Sequence, residues 1–153
     1  MSRTYAVLQT VLLAAFTAVF FLDSGPRLVA SSERVEIVGL ALCATGLLLM
    51  VAAFRALGGA IQIAPEPRPN ARLVTHGIYR NLRHPIYTAI VAVTLGLFLR
   101  KPTMLIGCAA AVVIVFLLVK SKYEEERLLA RYPEYAAYRA RTSGVLPWFH
   151  RAS

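Results

Sequence analysis

Cysteine is nearly absent from this chain of 153 residues, and the two present, Cys43 and Cys108, both fall inside apolar runs. A free thiol there behaves as a small hydrophobe. There is no C-x-x-C pair and no metal-ligand spacing among the three histidines, so no metal site is expected. No Gly-x-Gly-x-x-Gly loop follows a strand pattern, and there is no internal repeat or low-complexity tract. Acid is scarce as well: 8 Asp and Glu stand against 17 Lys and Arg, for a net charge of +9. Nucleic-acid binding explains that charge poorly, because it leaves the long apolar runs unaccounted for.

Those runs are the main thing the sequence has. Hydrophobic residues make up 58% of the chain and mean hydropathy is +0.59, too apolar for an ordinary soluble domain of this size. A span needs roughly 17–25 mostly apolar residues. Residues 5–22, 35–54 and 103–119 meet that length, and the run 86–99 is shorter, covering about 21 Å at ~1.5 Å per residue. The expected fold is an all-α integral membrane protein, a bundle of about four transmembrane helices with a cytoplasmic C-terminal helical tail, forming one membrane domain over 1–153. The first run is expected to stay as a helix rather than to be cleaved, since Phe21-Leu22-Asp23-Ser24-Gly25-Pro26 has no small-x-small site.

Charge sets the orientation. Arg55, Arg68, Arg72, Arg80 and Arg83 lie in the second loop and seven more basic residues lie from Lys120 onward, together twelve of the 17. Cytoplasmic segments collect positive charge. Both termini and the second loop are therefore expected in the cytoplasm, where basic residues also meet anionic headgroups at ~1 kcal/mol each.

The second loop is stiff. Pro65, Pro67 and Pro69 alternate, favouring an extended path, and Gly77 suits a turn or a close backbone approach. From Lys120 the fourth helix continues as Lys-Ser-Lys-Tyr-Glu-Glu-Glu-Arg until Pro133 interrupts it, and Tyr135 and Tyr138 share the face of the next turn. On composition alone, these are a membrane-surface connector and a solvated helix with interfacial aromatics.

Arg83-His84-Pro85-Ile86-Tyr87 argues for more than anchoring. It sets two basic side chains, a helix-starting proline and a tyrosine at the mouth of an apolar run, while Glu124-Glu125-Glu126 follows the next run. Leu73, Val74, Gly77, Tyr79, Arg83, His84, Pro85 and Tyr87, followed one span later by Glu124, Glu125, Leu128, Tyr132, Tyr135 and Tyr138, resemble the two signature elements of the isoprenylcysteine carboxyl methyltransferase family and its phospholipid methyltransferase relatives. The resemblance covers roughly residues 60–149.

It implies a membrane methyltransferase using S-adenosyl-L-methionine and a lipophilic or lipidated acceptor, with carboxyl O-methylation as the namesake reaction. It also implies a cofactor site built from 60–87 and 120–149, lined by Leu73, Val74, Tyr79, His84, Pro85, Ile86 and Tyr87, with Glu124 on a polar part of the cofactor and Gln62 contributing. Lys120 takes the position of a substrate-positioning basic residue, where the family commonly has Arg. Pro133 stands where the family tends to have Gly. N- or S-methylation of a lipid amine or thiol, an NADPH-dependent sterol-type reductase and a non-catalytic membrane subunit are the alternatives. The reductases tend to carry Asn where this chain has Ile86.

Overall fold

A computed structural model describes residues 2–30, 32–58 and 73–146. These residues form helices and no β-strand. Helix α1 spans Ser2–Leu22, α2 Glu33–Leu57, α3 Pro85–Arg100, α4 Met104–Arg131 and α5 Tyr135–Ala140, with a 3-10 turn at Gly77–Arg80. The apolar runs 5–22, 35–54 and 86–99 lie in α1, α2 and α3, and the run 103–119 begins at the residue that caps α4.

Each boundary has a chemical cause. α1 stops before Asp23-Ser24-Gly25-Pro26, a run of poor helix formers. Ser32 caps α2 by accepting the Val35 N–H, and Glu33 and Glu36 at its start and Arg55 at its end complement the helix dipole. Gly58 closes α2 at φ 50°, a conformation open to glycine. Pro85 opens α3 at a position where a missing N–H costs nothing. The Thr103 hydroxyl accepts the Ile106 N–H to cap α4.

Helices α1, α2 and α4 are long and apolar enough to cross a membrane, and α3, with 16 residues, is shorter. At ~1.5 Å per residue α3 covers about 24 Å. α4 has 28 residues and reaches about 42 Å, longer than a ~30 Å hydrocarbon core. Its apolar part ends at Val119, and its last three turns carry the charged residues from Lys120 onward. Val7, Val11, Leu40, Leu47, Leu48, Val112 and Val115 are exposed on the outer faces, as lipid contact requires.

Two kinds of packing join the helices. α2 meets α3 through small residues: Gly39, Gly46 and Ala53 recur every seventh position and are buried, and so are Ala89 and Gly96 on α3. A Cβ on Gly39 would lie 2.7 Å from the Gly96 carbonyl oxygen, and one on Gly46 2.7 Å from that of Ala89. Only glycine lets the backbones approach so closely. α4 instead uses mostly branched side chains: Ile106, Val113 and Leu117, with Ala110, at alternating spacings of four and three, form the core with Phe16 of α1 and Tyr87, Ile90 and Val91 of α3.

The two ends of the bundle differ. Residues 23–28 and 101–103 meet at one end, where the Leu28 N–H bonds the Pro102 carbonyl at 2.7 Å. At the other end the N-terminal half of α1, the segment 73–84, the end of α4 and the chain through Leu146 converge, and there the polar side chains gather.

Candidate functional site at one end of the bundle

The site starts from a turn that is folded onto two neighbours. Gly77, at φ 59°, begins the 3-10 turn, and a Cβ there would lie 3.0 Å from that of Ala56 on α2. Tyr79 is buried, and its carbonyl accepts the Tyr138 hydroxyl at 2.6 Å. The chain after α5 runs parallel to the end of the turn: the Arg83 N–H bonds the Ser143 carbonyl at 2.8 Å and the Ser143 N–H bonds that of Asn81 at 3.0 Å. Burial raises the Tyr138 phenol above its ordinary value and pushes Tyr79 up to about 12, so both stay protonated. Tyr135 and Tyr138 are 1% and 4% exposed, which makes them core residues of this end rather than interfacial anchors.

Arg83 leaves this turn and fastens it to the rest. Its Nε donates to Glu125 Oε1 at 2.8 Å, and its Nη1 donates to the Arg139 carbonyl at 2.9 Å and to the Thr142 carbonyl. Glu125 also meets His84 Nε2 at 3.3 Å and Arg139 Nε at 3.1 Å. Burial alone would raise the Glu125 carboxyl, but the His84 and Arg83 hydrogen bonds and charges outweigh it and hold the group at about 2. Glu125 is thus a fixed anion that clasps three segments together, and a poor base at neutral pH.

Glu124, its neighbour, has different company. The alternating spacing of the α4 core stripe continues from Leu117 to Lys120 and Glu124, so both point into the bundle end. The Tyr87 hydroxyl donates to both Glu124 oxygens, at 2.7 and 2.8 Å. His84 stacks parallel to Tyr87 with ring centroids 5.4 Å apart, and its Nδ1 lies 4.0 Å from Glu124 Oε2. Lys120 Nζ sits 3.6 Å from Glu124 Oε1, 5.1 Å from the Tyr87 ring centre and 2.5 Å from Gln9 Oε1. At 6% exposure, Lys120 is buried and does not snorkel to the surface. A carboxylate and an aromatic face together make a seat for one cation, and here Lys120 fills it.

The residues expected from sequence divide accordingly. His84, Tyr87, Lys120 and Glu124 come together. Pro85 is buried beneath them as the start of α3, and Ile86 is half-buried against the core. Leu73 and Val74 are half-buried in the segment leading to the turn, and no hydrogen bond ties them to the cluster among the described residues. Gln62 lies outside the described residues. Glu126 is exposed on another face. Sequence reasoning missed Glu125 as the clasp, along with its partner Arg139, and missed Gln9. Gln9 had a signal of its own, being an amide within an apolar span.

A bundle of apolar helices with a buried, mixed-charge cluster at one end defines an integral membrane protein with a polar site at the membrane boundary. Residues 35–135 match the phospholipid methyltransferase family, and the chain belongs to it. Both signature elements, through Tyr135, lie within the match, whereas α1 with Gln9 lies before it. Among curated proteins none matches the chain. The family makes this a membrane methyltransferase of the phospholipid and isoprenylcysteine type.

Proposed function

We propose that the protein transfers a methyl group from S-adenosyl-L-methionine to a lipophilic acceptor, with carboxyl O-methylation of an isoprenylcysteine-like molecule as the leading reaction. The observation that carries this reading is the cation seat formed by Glu124 and Tyr87 within the family-matched segment. The Lys120 ammonium already rests there as a stand-in cation, so the residues fit a ligand bearing sulfonium and ammonium charges. When bound, such a cofactor supplies a methyl group already activated by its sulfonium.

The chain's own residues then have three tasks. Glu124 and Tyr87 bind the cationic part, Leu73, Val74, Tyr79, Pro85 and Ile86 supply an apolar lining, and Gln62 contributes a polar contact. His84 orients Tyr87 by stacking and is itself held by Glu125. Lys120 faces the acceptor. It is flanked on α4 by Phe116 and Tyr123, whose rings lie 6.2 and 4.8 Å from Tyr5 of α1, an aromatic wall suited to an apolar tail and to excluding water. A carboxylate acceptor is ionised at neutral pH and needs no general base.

The test is methyl-label transfer from S-adenosylmethionine in sealed membrane vesicles of either orientation, read in fractionated lipids, thiols and a prenylcysteine analogue. A base-labile ester on the analogue, formed only in inside-out vesicles, is the expected result. Label in an amine lipid or a thiol would replace O-methylation by N- or S-methylation. Transfer in right-side-out vesicles would overturn the cytoplasmic placement of the site, and no label in any fraction would leave a non-catalytic membrane subunit.

A further inference from the structure

Lys120 is committed on every side. Its ammonium donates to Gln9, pairs with Glu124 and lies over the Tyr87 ring, inside a nearly solvent-free end of the bundle. Held in this way its charge is already balanced by Glu124 and is poorly placed to attract an incoming anion. By the same contacts, Glu124 and Tyr87 already hold a cation. One carboxylate in a poorly solvated site does not carry two full positive charges without strong repulsion between them.

Gln9 resolves the conflict. It is an uncharged hydrogen-bond partner of Lys120 and comes from α1, whereas Glu124 stands on α4 and the Tyr87 ring on α3. A lysine that gives up Glu124 keeps this hydrogen bond and is not left buried and unpaired.

We propose that Lys120 is an exchangeable internal cation. It occupies the Glu124–Tyr87 seat until a ligand cation takes its place, and its displacement toward Gln9 frees the ammonium to receive an anionic acceptor. The proposal rests on the cofactor reading above and adds an order to it: an anionic acceptor binds well only after the seat has been filled. Gln9 is then a positioning residue, acting through Lys120. By linkage, the acceptor must tighten binding at the seat by the same factor.

Calorimetry on the purified full chain in detergent tests this, with S-adenosylmethionine and a carboxylate-bearing prenylcysteine analogue as probes. In the wild type, saturating S-adenosylmethionine should tighten binding of the analogue by about fivefold or more. Lys120→Met removes the competing cation, so S-adenosylmethionine should bind several-fold more tightly than to the wild type, and the analogue should bind equally weakly with or without it. Gln9→Leu removes the alternative partner, so S-adenosylmethionine should bind more weakly, while Gln9→Glu, which retains an acceptor, should not weaken it. Unchanged or weaker S-adenosylmethionine binding in Lys120→Met, or a wild type without coupling, overturns the proposal. If Lys120→Met does not fold, wild-type coupling and the Gln9 pair decide alone. Failure of the wild type to bind S-adenosylmethionine at all overturns the cofactor reading and this proposal together, whereas binding without coupling overturns this proposal only.

Discussion

Each end of the bundle ties a lysine to α1, and the two ties differ in kind. Lys101 donates to the Phe20 carbonyl at 3.0 Å and to the Asp23 carbonyl, with its ammonium 5.8 Å from the Phe20 ring. Its partners are backbone oxygens at a helix C-terminus, where a cation is welcome and the acceptors cannot turn away. Lys120 also binds α1 and also lies over an aromatic ring, but its acceptors are the side chains of Gln9 and Glu124. Side chains can change partners by rotation. A lysine held by main chain is a staple, and a lysine held by a carboxylate and an amide can trade places with a ligand.

The largest effect expected from breaking this comparison is at Arg83, which makes the site end a staple as well as a site. Arg83→Ala leaves Glu125 with only His84 and Arg139, and removing one partner of a buried ion pair costs roughly 3–5 kcal/mol. Thermal unfolding in detergent should fall sharply. A loss below about 1 kcal/mol would show that the clasp is not structural. Next comes Glu124→Gln, which keeps the acceptor for Tyr87 but removes the charge. Losing one charge-assisted contact in a dry site costs roughly 1.5–3 kcal/mol, so S-adenosylmethionine binding should weaken about ten- to hundredfold while unfolding changes little. Glu126→Gln, on the exposed face, should bind as the wild type does, and equal losses in both would remove Glu124 from the site. The smallest effect is at Lys101→Met. It should lower stability by about 1 kcal/mol and leave ligand affinity unaltered. A shift in affinity there would erase the distinction between the two ends.

The helices were legible because a span announces itself by length: 5–22, 35–54 and 103–119 are apolar runs that nothing but lipid or a large core would bury. α3 was legible from Pro85 at its start and Arg100 at its end. In the site, the adjacency of His84, Tyr87 and Glu124 came from motif resemblance, and the repeat Ile106, Ala110, Val113, Leu117, Lys120 points the lysine inward on spacing alone. The clasp was not legible. Glu124 and Glu125 are neighbours of identical chemistry, and only the 100° turn between successive helix positions gives one to Tyr87 and Lys120 and the other to Arg83 and Arg139. Nor does any local signal connect Gln9 with Lys120, 111 positions later. Such pairs exist only once the helices have chosen their neighbours.

The glycine contact between α2 and α3 bears on how this molecule deforms. Where Gly39 and Gly46 lie against the carbonyls of Gly96 and Ala89, main chain rests on main chain, and no rotamer in that joint can be rearranged to take up strain. The α1–α4 contact includes the rings of Tyr5, Phe16, Phe116 and Tyr123 and the amide of Gln9, side chains with torsions to spend. The molecule is accordingly a stiff blade, α2 with α3, facing a compliant wall, α1.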